Sequence, residues 1–208
     1  MAIDWSKGVV LAGMVLASLV GTAEIATASP LPHAGYAAMG SRTSVPYGWV
    51  DFCNRYSGEC DVEPLDAVDI DLTPAALKAI ENVDRQVNAA VTPETDMDHW
   101  GVVDRWDYPT DGKGDCEDYA LLKRKVLIGE GYPRQALLIT VVRDLEGEGH
   151  AILTVKTNRG EFVLDNLNDK VLPWSDTGYK FIKRQSQNDP NVWQSIGAPV
   201  AGPQFTAK

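Results

Sequence analysis

The chain has 208 residues, 44% of them hydrophobic and 23% charged, so it is long enough for one well-packed domain. Its formal net charge of -10 and pI near 4.7 argue against nucleic acid or an anionic membrane surface as the main partner, because phosphate binding needs clustered Lys and Arg.

The N-terminal stretch has the pattern of a secretory signal. Residues Gly8–Gly21 form an uncharged, mostly apolar run of 14 residues. A membrane-spanning helix needs roughly 20 residues, so this run is too short to cross a bilayer. Ala26–Ala28 then match the A-x-A pattern of signal peptidase sites, which predicts a signal peptide over residues 1–28 and an exported, periplasmic domain. An uncleaved N-terminal anchor is the alternative.

The next segment has few regular patterns. Residues 29–48 are rich in Pro, Ala, Gly and Ser and predict an extended arm. Cys53 and Cys60 are separated by six residues that include Gly58, a spacing that favours a short-loop disulfide in an oxidising compartment. A metal site built on this pair is the rival interpretation, but no CxxC or HxxxH spacing supports it. The pairing leaves Cys116 as an unpaired thiol in an exported protein.

The first predicted helix begins after Thr73, a favourable N-cap residue, with Pro74 at its first position. Apolar residues recur at steps of three and four, and they are Leu77, Ile80, Val83, Val87 and Val91. Pro93 ends this pattern, and residues 94–114 follow as a long loop that contains several aromatic residues. A loop of that length in a compact domain is usually functional.

A second helix is predicted from Cys116 to Ile128, with Gly129 and Gly131 as stop signals. Beyond it the period becomes strand-like, in the short runs Ala136–Val142, His150–Lys156, Glu161–Asp165 and Tyr179–Arg184. Helices followed by antiparallel strands predict an α+β domain. We place this domain at residues 49–190 and a C-terminal tail at residues 191–208.

The strand register brings two chemical groups together. A turn at Thr157–Gly160 predicts the opposed pairs Leu153/Leu164 and Val155/Phe162 on one apolar face, and Lys156/Glu161 on the other. In this register His150 and Asp165 are diagonal neighbours on one face, about 7 to 8 Å apart at the backbone. An Asp carboxylate at that distance can reach the imidazole ring.

Cys116 at the start of the second helix completes a candidate triad. A helix N-terminus and a nearby imidazolium both favour the thiolate, which is the reactive form of cysteine. His150 would take the thiol proton, and Asp165 would fix the orientation of the imidazole. The alternatives are a buried structural thiol at Cys116 and a hydrogen-bonded strand-end histidine at His150. His99 is assigned to the loop or the surface.

These residues carry a resemblance to a known family. GDCEDYA at Gly114–Ala120, GHAIL at Gly149–Leu153 and VLDN at Val163–Asn166 resemble the bacterial transglutaminase-like cysteine peptidases, which include the LapG-type periplasmic proteases. The resemblance covers about residues 45–185. It implies a papain-like, transglutaminase-like core with N-terminal helices packed on an antiparallel sheet. It also implies that Cys116 is the nucleophile, His150 the base and Asp165 its orienter.

The same resemblance matches Asp115 and Glu117 to the calcium-binding positions of LapG-type members. A physical argument points the same way, because carboxylates beside Cys116 would raise the pKa of its thiol. A bound Ca²⁺, which prefers hard oxygen ligands, would remove that conflict. The alternative is that these acids only complement the helix dipole. Asp118 could equally be a solvated cap.

Acyl transfer also needs hydrogen-bond donors for the developing oxyanion. The backbone N–H of Cys116 is one candidate, and the indole N–H of Trp106 is predicted as the second. Trp100 competes for this role, and a packing role is the alternative for Trp106.

The sequence therefore predicts an exported cysteine endopeptidase that hydrolyses peptide bonds and depends on calcium. The resemblance implies a protein substrate, such as a surface adhesin, and is compatible with a membrane-bound regulatory partner. A transglutaminase-like acyl transferase and a non-catalytic calcium-binding module are the alternatives.

Overall fold

The computed structural model describes residues 30–197, and the predicted signal peptide at residues 1–28 lies outside this range. The described helices are α1 (Tyr47–Arg55), α2 (Ser57–Cys60), α3 (Pro74–Ala90), α4 (Asp96–Trp100) and α5 (Cys116–Gly129). Single 3-10 turns occupy Arg134–Ala136 and Trp174–Asp176. None of the helices within residues 30–197 combines the length and apolarity required to cross a bilayer.

The strands form one large sheet and one small ladder. They are β1 (Met39–Thr43), β2 (Thr92–Pro93), β3 (Lys113–Gly114), β4 (Leu137–Arg143), β5 (Gly149–Thr157), β6 (Gly160–Leu164), β7 (Leu172–Pro173), β8 (Lys180–Gln185) and β9 (Trp193–Ile196). The large sheet has the order β1-β9-β8-β4-β5-β6-β7, and all its neighbours are antiparallel. Strands β2 and β3 pair in parallel. The predicted α+β class is confirmed.

Helix α3 begins as its sequence predicts. The Thr73 hydroxyl accepts a hydrogen bond from the Ala76 N–H at 3.1 Å, which satisfies one of the free donors of the first turn. Pro74 occupies the first helical position, where its missing N–H costs nothing. The apolar stripe of α3 is buried at Ile80, Val83 and Val87. Helices α3 and α5 pack with the large sheet in one hydrophobic core. This packing holds the start of α5 against β5.

The predicted register of the β5–β6 hairpin is confirmed. The pairs are Leu153/Leu164, Thr154/Val163, Val155/Phe162, Lys156/Glu161 and Thr157/Gly160. The first and third pairs lie in the main core, and Lys156 lies 3.7 Å from Glu161. Gly160 has φ +110°, and a Cβ there would come within 2.1 Å of the Ala34 carbonyl oxygen, so this turn requires glycine.

The sheet extends beyond the predicted domain limits of 49–190 at both ends. Strand β1 lies within the predicted arm and β9 within the predicted tail, and the two strands pair with each other. Trp193 of β9 is fully buried against Trp49 and Trp106. The burial of one large aromatic side chain anchors a strand too short to show a clear alternating pattern.

The loop predicted at residues 94–114 contains helix α4 and strand β3. The Thr95 hydroxyl caps α4 by accepting a hydrogen bond from the Asp98 N–H at 3.2 Å. Helices α1 and α2 likewise lie where the sequence shows little regular pattern. These helices are too short for an apolar period to stand out, which is why sequence periodicity misses them.

Candidate active site

Cys116 is the first residue of α5, and the fold brings its thiol to the start of β5. The Ala151 N–H, next to His150 on β5, donates to the Cys116 sulfur at 3.4 Å. The thiol itself donates to Glu117 Oε2 at 3.0 Å. Cys116 is also the free cysteine of the chain, since Cys53 and Cys60 are bonded to each other. The thiol is therefore positioned at the junction of the helical layer and the sheet.

His150 and Asp165 form a close, buried pair. The Nε2 atom of His150 lies 2.8 Å from Asp165 Oδ1, and both side chains are about 5% exposed or less. Burial alone would raise the pKa of Asp165, but the hydrogen bond and charge of His150 and the hydrogen bond from Tyr179 outweigh it and hold the pKa below 3.8. The carboxylate is therefore ionised at neutral pH. Because an ionised carboxylate only accepts hydrogen bonds, Nε2 donates to Oδ1, and Nδ1 is the ring nitrogen that Asp165 does not engage.

Three further groups hold Asp165 in place. The Tyr179 hydroxyl donates to Oδ2 at 2.6 Å, and the Leu167 N–H donates to Oδ1 at 3.1 Å. From α3, the Asn88 side-chain amide donates to the Asp165 backbone carbonyl at 2.9 Å. Sequence reasoning missed Tyr179 and Asn88 because neither shares a sequence motif with Asp165, and only the tertiary fold brings them close.

The surroundings of Cys116 disfavour the thiolate. Burial raises the pKa of the thiol well above 9.0, and the negative charges of Glu117 and Asp115 raise it further. The hydrogen bond from the Ala151 N–H acts in the opposite direction. The predicted conflict between the thiol and its acidic neighbours is therefore present in the structure.

The carboxylates of this region converge beyond the two residues predicted from sequence. Asp115 and Glu117 are joined by Asp96, Asp104 and Asp118, in overlapping groups of three whose ligand atoms lie within 4.8 Å of one another. Asp96 begins α4 and donates its backbone N–H to Asp115 Oδ2 at 3.3 Å, which ties α4 to α5. Sequence reasoning missed Asp96 and Asp104, since both lie in the predicted loop with no ligand spacing of their own.

The acidic cluster is electrostatically strained. Burial, opposed by a hydrogen bond from the Arg105 N–H and reinforced by Asp115 and Asp104, raises the pKa of Asp96 to about 6. Burial likewise dominates at Asp118, whose pKa is raised to about 8 with further contributions from Asp115 and Asp96. Oδ1 of Asp115 is buried without a hydrogen-bond partner among the described residues. Buried, mutually repelling oxygen atoms fit a hard divalent cation such as Ca²⁺.

The structure contradicts the oxyanion role predicted for Trp106. Its indole N–H donates to Asp104 Oδ1 at 2.8 Å, so the donor is already used. The ring is buried and packs edge-on against Trp49 and Trp193. Trp106 therefore belongs to the aromatic core and helps to position Asp104. The competing candidate, Trp100, lies stacked on His99 with ring centroids 3.9 Å apart.

The remaining predicted residues have partners other than Cys116, His150 and Asp165. A disulfide joins Cys53 in α1 to Cys60 in α2, the pair that the spacing predicts. His99 Nε2 lies 2.8 Å from Asp111 Oδ2, so this histidine has a carboxylate partner of its own in the loop. His99 and His150 thus form two separate His–Asp pairs, and His150 is the one that precedes Ala151, whose N–H donates to the Cys116 sulfur.

Comparison with known proteins agrees with this arrangement. A family model described as bacterial transglutaminase-like cysteine proteinase matches residues 39–200. Calcium-bound LapG from Legionella pneumophila is 26% identical, with a TM-score of 0.50, over 64% of this chain and 77% of that chain. An EGTA-treated form of the same protein is 27% identical, with a TM-score of 0.48, over 58% and 71% of the two chains. No curated protein matches the chain.

Proposed function

The chain belongs to the bacterial transglutaminase-like cysteine proteinases and is a cysteine peptidase, and from this premise we propose that Cys116, His150 and Asp165 are its catalytic triad. One observation carries the proposal. The buried His150–Asp165 hydrogen bond lies beside Ala151, whose N–H reaches the Cys116 sulfur. Nucleophile, base and orienting carboxylate thus occupy one small region of the fold.

The proposed reaction is peptide hydrolysis through a thioester. Nδ1 of His150 takes the thiol proton, and the Cys116 sulfur attacks the peptide carbonyl carbon. As the C–N bond breaks, His150 returns the proton to the departing amine. Water, deprotonated by the same imidazole, then hydrolyses the thioester and regenerates the thiol. Asp165 stabilises the imidazolium throughout, and the backbone N–H of Cys116 at the helix start is a donor for the oxyanion.

The triad is tested by labelling with a thiol-directed peptide electrophile. We expect wild-type Cys116 to be labelled, Cys116→Ala not to be labelled, and His150→Asn to be labelled at least about 100-fold more slowly. His99→Asn is the matched control, because it removes the other carboxylate-paired histidine. Equal labelling rates for His150→Asn and His99→Asn would refute the assignment of the base.

We also propose that Asp115 and Glu117 bind Ca²⁺, together with Asp96, Asp104 and Asp118. The calcium-bound form of LapG supports this, as does the unpartnered Oδ1 of Asp115. A bound cation would supply positive charge that offsets the carboxylates around Cys116. Asp115 and Glu117 would then hold their oxygen atoms toward the ion and away from the thiol.

Equilibrium titration with Ca²⁺ tests the metal site independently of activity. The wild-type protein should bind the ion, and the Asp115→Ala, Glu117→Ala double variant should not. A matched control is Glu146→Ala with Glu148→Ala, which removes two exposed acids from the turn between β4 and β5. Unaltered binding in the first double variant would refute the site.

The triad geometry is equally compatible with transfer of the acyl group to an amine. Product analysis with a primary amine present separates the two reactions, since hydrolysis yields a free carboxylate and transfer yields an amide. The non-catalytic calcium-binding module predicts no labelling of Cys116 with or without calcium.

We further propose export to the periplasm, directed by residues 1–28, and a catalytic domain that includes β1 and β9. The substrate would be a protein, such as a surface adhesin, and a membrane-bound partner would regulate access to it. Mass spectrometry of the mature chain tests the first point, because signal cleavage after Ala28 leaves Ser29 as the N-terminus. A mature chain that retains residues 1–28 would indicate an anchor.

A further inference from the structure

We propose that Tyr179 is a positioning residue of the triad, whose hydroxyl fixes the Asp165 carboxylate so that Oδ1 faces His150. This inference rests on the proposed function, in which Asp165 orients the base. Tyr179 does not touch the thiol in the described structure, so it would act through Asp165. The proposal adds a fourth side chain to the constellation.

The hydrogen-bond pattern of Asp165 is asymmetric. Oδ1 accepts from the Leu167 N–H and pairs with His150 Nε2, so two groups define its position. Oδ2 accepts a hydrogen bond from the Tyr179 hydroxyl at 2.6 Å. Within residues 30–197 this is the single hydrogen bond to Oδ2. A carboxylate can rotate about its Cβ–Cγ bond. The Tyr179 hydroxyl blocks this rotation because Oδ2 would have to leave its donor.

The Tyr179 ring also supports the imidazole directly. It lies edge-on to His150, with ring centroids 5.7 Å apart and an interplanar angle of 83°. This T-shaped contact restricts the tilt of the imidazole. Tyr179 therefore touches both members of the His150–Asp165 pair, one through its hydroxyl and one through its ring.

The chain presents Tyr179 through a defined turn. Gly178 has φ +73°, and the Tyr179 N–H donates to the Thr177 hydroxyl at 3.2 Å. Burial and the hydrogen bond to Asp165 raise the pKa of Tyr179 above 10.0, so the hydroxyl keeps its proton over the working range of the enzyme. The donor is thus available whenever Asp165 is ionised.

A small cavity limits the size of the expected effect. A space of about 20 Å³ is bounded by Asp165, Tyr179 and Thr177, and it can hold one water molecule. If the Tyr179 hydroxyl is removed, such a water can donate to Oδ2. The water is not attached to the protein, so it holds the carboxylate less firmly than the hydroxyl does. We therefore expect the carboxylate to be loosened without being left unpaired.

The test compares Tyr179→Phe, which keeps the ring and removes the hydroxyl, with the wild type. The first readout is NMR of the ¹⁵N-labelled imidazole of His150, assigned by its absence in His150→Asn. We expect a protected Nε2–H in the wild type and exchange with solvent about tenfold faster in Tyr179→Phe. The second readout is alkylation of Cys116 by iodoacetamide, which should slow about tenfold.

Tyr36→Phe is the matched control, because it removes another tyrosine hydroxyl, donated to the Thr157 carbonyl at 2.8 Å. It should leave both readouts unchanged, whatever its effect on stability. Wild-type exchange in Tyr179→Phe, or no protected Nε2–H in the wild type, would overturn the proposal. Faster exchange in Tyr179→Phe combined with an inert Cys116 in the wild type would leave the positioning role standing and refute the proposed catalysis.

Discussion

At the scale of single residues, the Asp165 carboxylate links the stability of the fold to its chemistry. Its folded-state pKa lies below 3.8, the ordinary value for Asp. The ionised group therefore stabilises the fold above its ordinary pKa, and this contribution is lost as the pH falls through the lower, folded-state pKa. Asn at this position keeps the shape of the side chain and removes the titration.

We predict that Asp165→Asn weakens the acid dependence of stability. Between about pH 5 and about pH 3 its free energy of unfolding should fall less than that of the wild type. Urea denaturation across this range measures the difference. Asp61→Asn is the control, because Asp61 is an exposed aspartate that follows helix α2. Parallel curves for wild type and Asp165→Asn would contradict the prediction.

Sequence reasoning placed His150 and Asp165 side by side because strand alternation and opposed pairs define the register of a two-sided hairpin. The oxyanion role predicted for Trp106 was wrong, because no sequence pattern shows which group accepts the hydrogen bond of an indole N–H in a loop. In the structure that acceptor is Asp104, two residues away, and Trp49 and Trp193 supply the packing. The local strand pattern determines the placement of His150 and Asp165, whereas contacts distant in sequence determine the role of Trp106.

At the scale of elements, a buried ion pair joins α3 to α5. Lys123 Nζ lies 2.7 Å from Asp84 Oδ1, and both side chains are at most 1% exposed. Burial raises the pKa of Asp84 and lowers that of Lys123, so each charge depends on the other. Helix α5 carries Cys116 at its first turn, and α3 holds the Asp165 backbone through Asn88. The pair therefore sets the spacing of the two helices that support the site.

Lys123→Met should lower the free energy of unfolding by about 3 to 5 kcal/mol, because it leaves a buried carboxylate without its partner. Adding Asp84→Leu should recover much of this loss. Lys125→Met is the control on the same helix, since Lys125 is half exposed and lies 3.8 Å from Glu59. Its effect should stay below about 1 kcal/mol. Denaturant unfolding measures all three, and equal losses for the two lysines would contradict the prediction.

The longer elements were predictable because they carry their own signals. Thr73 and Pro74 mark the start of α3, and glycines mark the end of α5. Strands β1 and β9 carry no comparable signal, because they are short. Strand β9 joins the sheet by pairing with β8, and β1 joins it by pairing with β9. Sheet order was likewise beyond the sequence, since β8 pairs with β4 across the intervening hairpin.

At the scale of the whole molecule, the net charge of -10 is concentrated in part at one place, the cluster of carboxylates beside Cys116. Burying them without a counterion is costly, as the raised pKa values of Asp96 and Asp118 indicate. A cation bound there would stabilise the folded state by mass action, since the unfolded chain offers no preformed site.

We predict that Ca²⁺ raises the melting temperature, by about 5 °C or more at a hundredfold excess over its dissociation constant. EGTA should reverse the shift. The Asp115→Ala, Glu117→Ala double variant should show no shift, whereas Glu146→Ala with Glu148→Ala should behave like the wild type. Differential scanning calorimetry measures these temperatures. Identical melting curves of the wild type with and without calcium would refute the prediction.

The pairing of β1 with β9 has a consequence for the order of folding. Met39 lies opposite Ile196, so this edge of the sheet joins residues from nearly opposite ends of the described chain. Contacts between residues so far apart in sequence form late. The chain must first lose the entropy of a long open loop, and only then does the contact lower the free energy. We therefore expect the hairpin that carries His150 to be assembled before the β1–β9 edge closes. Pulse-labelling hydrogen exchange during refolding would show protection of β5 before β1.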